Sequence, residues 1–196
     1  QNTYASVWSY AIGTTQQATN DYYLSLGNGS GNLLLGNGAA GWGINIGIST
    51  TINQWNHVVF ASDTSNNLSI FFNGVRLATT VATIGLTTAT NYITFGQQAA
   101  GQTVSSLKGY MANLRFIQGS GAFNAASSTI TIPTAPPTAT ATTQLLLNCT
   151  NAGIYDGTMK NDLETVGNAQ ISTSVVKYGS GSIGFPDTTS YIVEQP

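Results

Sequence analysis

Residues 55–78 read WNHVVFASDTSNNLSIFFNGVRLA, and their pattern decides the fold class. In an extended chain successive side chains point to opposite faces. Trp55, His57, Val59 and Ala61 therefore share one face, and Asn56, Val58, Phe60 and Ser62 the other. Both faces carry apolar groups, which predicts a strand covered on both sides. Asp63 to Asn67 is a cluster of residues that hydrogen-bond their own backbone in turns. A second run, Leu68 to Phe72, completes a hairpin. Asn73-Gly74 follows directly, and both positions of this pair accept the positive φ that a tight two-residue turn demands. Val75 to Ala78 then resumes the sheet, giving three contiguous antiparallel strands.

Outward from this stretch the same period-two alternation recurs in short blocks bounded by Gly, Asn, Asp and Ser, with almost no helical periodicity. Further strands are expected at Tyr4–Ile12, Tyr22–Leu26, Asn32–Leu35, Gly43–Ile48, Tyr92–Phe95 and Gly109–Ile117. In the last, Tyr110, Ala112, Leu114 and Phe116 alternate with Met111, Asn113, Arg115 and Ile117, as in one core strand. Residues 130–144 contain three of the chain's five prolines among Thr and Ala. They read as an extended arm, because proline removes backbone donors and favours a polyproline-like path. Beyond the arm, strand signals return at Leu145–Asn148, Gln170–Val176, Gly181–Phe185 and Tyr191–Val193. A segment of that size buries too little surface to be stable alone, so residues 145–196 are expected to pack on something larger.

Composition excludes several functions. With five Lys plus Arg and a net charge of −2, the chain cannot supply the basic stripe that nucleic acid requires. Its apolar runs are far shorter than the roughly 20 residues of a membrane-spanning helix, so no membrane insertion is expected. Only 6% of residues are charged, whereas 75 of 196 are Thr, Ser, Asn or Gln. Such neutral polar surfaces are insensitive to salt and suit an extracellular setting. Cys149 has no partner for an internal bridge and reads as a small buried hydrophobe. A nucleophile and base pair with the lone His57 is not supported, since the two lie on separate strand-like runs. The chain opens at Gln1 without a signal-like stretch, which suggests a removed leader or a piece of a longer polypeptide.

The 55–75 hairpin resembles the central hairpin of laminin-G-like modules, members of the concanavalin A-like jelly-roll superfamily. Their pattern is a Trp-x-His-Val strand, a polar turn, and an aromatic strand ending in Asn/Asp-Gly. Gly109 to Arg115 is similar to a later strand of that family. The resemblance implies an all-β fold, an antiparallel jelly-roll β-sandwich over residues 1–129, followed by the arm and by a C-terminal extension of further strands over residues 145–196. It departs from the family at the front: the usual Ala/Gly-Ser-x-x-Phe opening is missing there, and a similar segment, Gly179 to Phe185 with Tyr191 to Val193, comes last. The tail also resembles junctions between tandem modules in phage structural proteins.

This superfold hosts many functions, so chemistry must be sought in particular residues. Glycan cleavage uses two carboxylates flanking the scissile bond. The acids are Asp21, Asp63, Asp156, Asp162, Glu164, Asp187 and Glu194, and no two share a strand at alternate spacing. No catalytic residues are assigned and no enzyme activity is expected. Calcium asks for six to eight oxygen ligands. Where related modules carry Phe-Asp-Gly-x-Gly-Asp-Tyr, this chain has Phe185-Pro186-Asp187-Thr188-Thr189-Ser190-Tyr191, which loses two acids. Asp187 reads as a turn former, and no metal or other cofactor is expected. Trp42, set between Gly41 and Gly43, is the candidate aromatic platform for a glycan. Asn28, Asn67 and Asn148 head acceptor triplets for N-linked glycans, which matter only in a eukaryotic secretory pathway.

The displaced opening segment leads to the main functional expectation. An incomplete sandwich leaves an unpaired edge that something must fill. The expected function is a structural subunit of an extracellular or virion filament, a helical homo-polymer in which the tail's Ile183, Phe185, Tyr191 and Val193 complete a neighbour's sheet. The alternative is a carbohydrate-binding, lectin-like adhesion module of a fibre or cell-surface protein.

Overall fold

The computed structural model describes residues 4–12, 22–27, 32–37, 41–49, 53–65, 68–77, 91–97, 106–119, 123–150 and 153–194. Among them there are strands and no helix. The first four strands are β1 (Tyr4–Ile12), β2 (Tyr22–Gly27), β3 (Asn32–Asn37) and β4 (Gly41–Ser49). They form an antiparallel meander, and its side chains are described only at Val7, Ser9 and Leu24. Next come β5 (Val58–Ser62), β6 (Leu68–Phe72) and β7 (Val75–Arg76), which form a sheet of their own. The three contiguous antiparallel strands expected from residues 55–78 are present, although the first begins at Val58 rather than Trp55 and the third ends at Arg76 rather than Ala78. Asn73 (φ 48°) and Gly74 (φ 85°) make the tight turn. The Asn73 side-chain oxygen accepts from the His57 backbone N–H at 2.8 Å, which fastens the approach to β5. Trp55 to His57 lie just outside the strand.

The chain then returns to the first sheet with β8 (Asn91–Phe95), which pairs with β1. The block Gly109–Ile117, read as one strand, is two: β9 (Gly109–Met111) and β10 (Leu114–Ile117). Asn113 interrupts it with a left-handed φ of 58°, a conformation that ends strand pairing and that Asn tolerates better than most residues. The two halves therefore join different sheets. β11 (Thr143–Leu147) pairs with β10. The arm before it, residues 131–142, carries no strand.

The tail contributes β12 (Leu163–Val166), β13 (Gln170–Ser172), β14 (Ser182–Phe185) and β15 (Tyr191–Glu194). β12 had no counterpart in the sequence pattern, and β13 is shorter than the predicted run to Val176. β15 lies between β8 and β12, extending the large sheet to the order β12-β15-β8-β1-β2-β3-β4. β14 lies between β13 and β9. The tail's strands thus complete sheets of their own chain. Ile183, Phe185 and Val193, expected to enter a neighbour, are buried, and Tyr191 is half-buried, all within the same molecule. Pairing within a chain incurs only the slowly growing cost of closing a loop, whereas pairing between molecules loses translational freedom as well.

Two hydrophobic clusters show the layering. Leu24 on the large sheet packs with Leu68 and Ile70 on β6. The second cluster combines Ile93 and Phe95 of β8, and Met111 of β9, with Leu147, Ile183 and Ile192 from the tail. Val7 on β1 touches both. The seven-stranded sheet thus forms one layer of a sandwich and the three short sheets form the other. Front and tail share one core.

Front and tail meet closely at Gly96, where a Cβ would lie 2.6 Å from the Phe185 ring. Phe185→Ala is expected to lower the free energy of unfolding by about 3–5 kcal/mol, read from urea denaturation. A loss below ~1 kcal/mol would show that Phe185 does not fill this core.

Candidate functional site

β14 alternates strictly: Ile183 and Phe185 enter the core, so Gly184 between them faces away from it. Gly184 is directly opposite Tyr110 on one side and Gln170 on the other. These three form a row across the outer face of the β13-β14-β9 sheet. Glycine matters here because a Cβ on residue 184 would come within 3.3 Å of Tyr110 Cε1. Without one, the tyrosine ring lies down over the sheet and still remains 46% exposed.

An open groove of about 550 Å³ runs along this face, with Lys108, Tyr110 and Gln170 among its lining and the hydroxyl-bearing turn Ser172-Thr173-Ser174 at its side. The turn is held down by Ser182, whose hydroxyl donates to the Val175 carbonyl. Ser172 and Ser174 share a hydrogen bond at 3.2 Å. The Lys108 ammonium, Tyr110 hydroxyl and Gln170 amide have no protein partner among the described residues. An exposed aromatic face beside amide and hydroxyl groups can stack on the apolar face of a sugar ring and hydrogen-bond its hydroxyls.

The acids that are described are mostly occupied elsewhere. Asp156 is buried, and its two oxygens accept from the N–H groups of Leu146, Thr158, Lys160 and Asn161 and from the side chains of Thr158 and Asn161. Burial alone would raise its pKa, but the hydrogen bonds from Thr158, Leu146 and Asn161 outweigh it and bring the carboxyl down to about 2. Asp187 accepts from Asn168, Ser190 and Thr189, which hold its carboxyl well below the usual range. It is a turn former, as its sequence context predicts. Glu194 is pushed the other way by burial and by the charge of Asp156. Among the described residues no three His, Cys, Asp or Glu converge as metal ligands would.

Cys149 sits in the shared core, where burial pushes its thiol up to about 11. It behaves as a packed hydrophobe. His57, whose pKa burial lowers, belongs to the approach to β5. Asn148 donates its amide to the Pro137 carbonyl at 3.0 Å, which ties the arm to the end of β11. Asn28 and Asn67 lie outside the described residues. Trp42 falls within β4, and its side chain likewise lies outside what is described. Tyr110 was concealed in the sequence because Gly109–Ile117 reads as one core strand. The available signal was Lys108 and Tyr110 at alternate positions opposite the Gly184 of Gly-Ser-Ile-Gly-Phe.

A laminin-G-type family model, described as the Concanavalin A-like lectin/glucanases superfamily, matches residues 2–126. The chain belongs to this superfamily. Its fold is accordingly a jelly-roll β-sandwich of the kind found in lectin-like and adhesion modules. No curated protein and no solved structure matches the chain. The concanavalin A-like match ends before the arm, so β11 to β15 lie outside the matched module although they complete its core.

Two variants probe this geometry. Gly184→Val is expected to displace the Tyr110 ring, seen as a changed near-ultraviolet circular dichroism with the far-ultraviolet spectrum retained. Asp156 has a folded pKa below its ordinary 3.8, so its contribution is complete above that value and is lost as pH falls toward about 2. Stability measured from pH 5 to pH 2 should decline, and Asp156→Asn should flatten that decline while lowering stability at neutral pH by on the order of 1–3 kcal/mol.

Proposed function

We propose that this chain is a non-enzymatic, carbohydrate-binding adhesion module of an extracellular fibre or virion surface, and that the Tyr110–Gly184–Gln170 row is its binding platform. The carrying observation is the exposed tyrosine ring laid over a glycine, beside amide and ammonium groups that have no partner among the described residues. Membership of a superfamily of lectin-like and adhesion modules, typically extracellular, supports this reading. Support for a non-enzymatic role comes from the groove, whose lining among the described residues includes no Asp or Glu. Asp156 and Glu194, whose pKa values shift in opposite directions, do not read as an acid and nucleophile pair, since both Asp156 oxygens accept hydrogen bonds from Leu146, Thr158, Lys160 and Asn161.

Stacking of one sugar on one tyrosine contributes little alone, so millimolar affinity for short oligosaccharides is expected, with avidity supplied by many copies on a fibre. On an oligosaccharide array the multivalent protein should be retained selectively, and Tyr110→Ala should abolish retention while leaving thermal unfolding within ~1 kcal/mol. Unchanged retention by that variant would rule out the platform.

The filament reading survives as a second proposal in a modified form. Copies could exchange β12 to β15 through the arm of residues 131–142, repeating in trans the pairs described in cis. Light scattering would distinguish the two: a monomer at all concentrations favours the closed module, and slowly formed oligomers favour exchange.

A further inference from the structure

Lysine and arginine are scarce enough in this chain to be accounted for individually. Arg76 donates to the carbonyls of Ala125 and Ala126 at 3.2 and 3.0 Å. Arg115 reaches the Thr138 carbonyl at 3.5 Å. Lys160 donates to the Thr143 carbonyl at 2.7 Å and to Gln144. Lys177 is 5.2 Å above the Tyr178 ring. These four serve their own chain. Lys108, the fifth, is exposed, lines the groove and has no partner among the described residues.

Its position follows from the strand alternation. Lys108 precedes Tyr110 by two residues and so faces the same side, away from the core that receives Met111. Among the described residues the groove therefore has one ammonium, one exposed aromatic face and no carboxylate. An ammonium is a compact point charge without the planar fork of arginine, so it rewards a negative charge at the end of the groove without dictating its geometry. One cation without a partner among the described residues, on a chain of net charge −2, does not suit a densely charged polyanion. It suits a sugar with a single anionic group in an otherwise neutral chain.

Building on the glycan-binding reading, we infer that the groove selects an oligosaccharide carrying one anionic group, a carboxylate or a sulfate ester, next to the sugar stacked on Tyr110. The ion pair would be exposed, so its contribution is small and sensitive to salt.

Titration calorimetry or weak-affinity chromatography can test this with matched oligosaccharides: a neutral one, the same chain with one uronate, and the same chain with one sulfate ester. The native protein is expected to prefer at least one anionic form over the neutral one by about two- to fivefold at low salt. That preference should vanish near 1 M salt. Lys108→Ala should bring the anionic and neutral forms to equal affinity, Lys108→Arg should keep the preference, and Lys108→Glu should reverse it. A preference for only one of the anionic forms identifies the source of the charge. Neutral and anionic forms bound equally by the native protein, or a preference that persists in Lys108→Ala, would overturn the inference while leaving the platform intact. Loss of all binding in Tyr110→Ala with neutral ligand confirms the platform separately, whereas failure of the native protein to bind any of the three would defeat both.

Discussion

The contact between Gly96 and the Phe185 ring joins the front module of this chain to its tail, and much of the structure depends on it. Gly96 follows β8 directly, with φ at +86°, and any side chain there would collide with the ring at 2.6 Å. Its N–H donates to the Val7 carbonyl, and its carbonyl accepts from the Leu107 N–H. One residue thus ties β1, the end of β8 and the segment before β9 together beneath a side chain from the tail. Phe185 is 1% exposed, and burying an aromatic of that size contributes about 1.5–3 kcal/mol. The sandwich closes only when the last fifty or so residues of the chain have come back to it.

What turns the tail toward the core is polar. Asp156 gathers the 156–161 segment around one carboxylate and anchors it to the Leu146 N–H on β11. Asp187 holds the turn between β14 and β15 and reaches Asn168, just before β13. Gly167 allows these turns to approach closely, since a Cβ there would be 2.7 Å from the Thr189 carbonyl. A chain with so few charges spends two of its carboxylates on architecture. The chemistry left to its groove, among the described residues, is that of one ammonium, an amide, hydroxyls and an aromatic ring.

The same strand then serves the core and the surface. In β14 the inward residues Ile183 and Phe185 secure the tail, and the outward Gly184 provides the flat floor on which Tyr110 rests. Cross-strand pairing places Gln170 on the other side of that floor. The platform is therefore assembled from β9, on the matched module, and from β13 and β14, beyond it. Neither part carries the site alone, and a truncation at the end of the matched module would remove two of its three strands.

Local chemistry alone determined the all-β class, the 55–78 hairpins with their Asn73-Gly74 turn, the position of most strands, and the absence of a basic surface. Those features depend on period-two alternation and on backbone preferences of single residues, which require no partner. The tail's strands were also legible at β11, β14 and β15, but not the molecule they would complete, because hydrophobic alternation specifies that a face must be buried and says nothing of whose core receives it. The break at Asn113 was hidden for a related reason: Asn can continue a strand or adopt a left-handed φ, and the choice is made by β14 and β11 drawing the two halves into different sheets. Tyr110 consequently read as a core residue, and only tertiary pairing opposite Gly184 turned it outward into a groove beside Lys108.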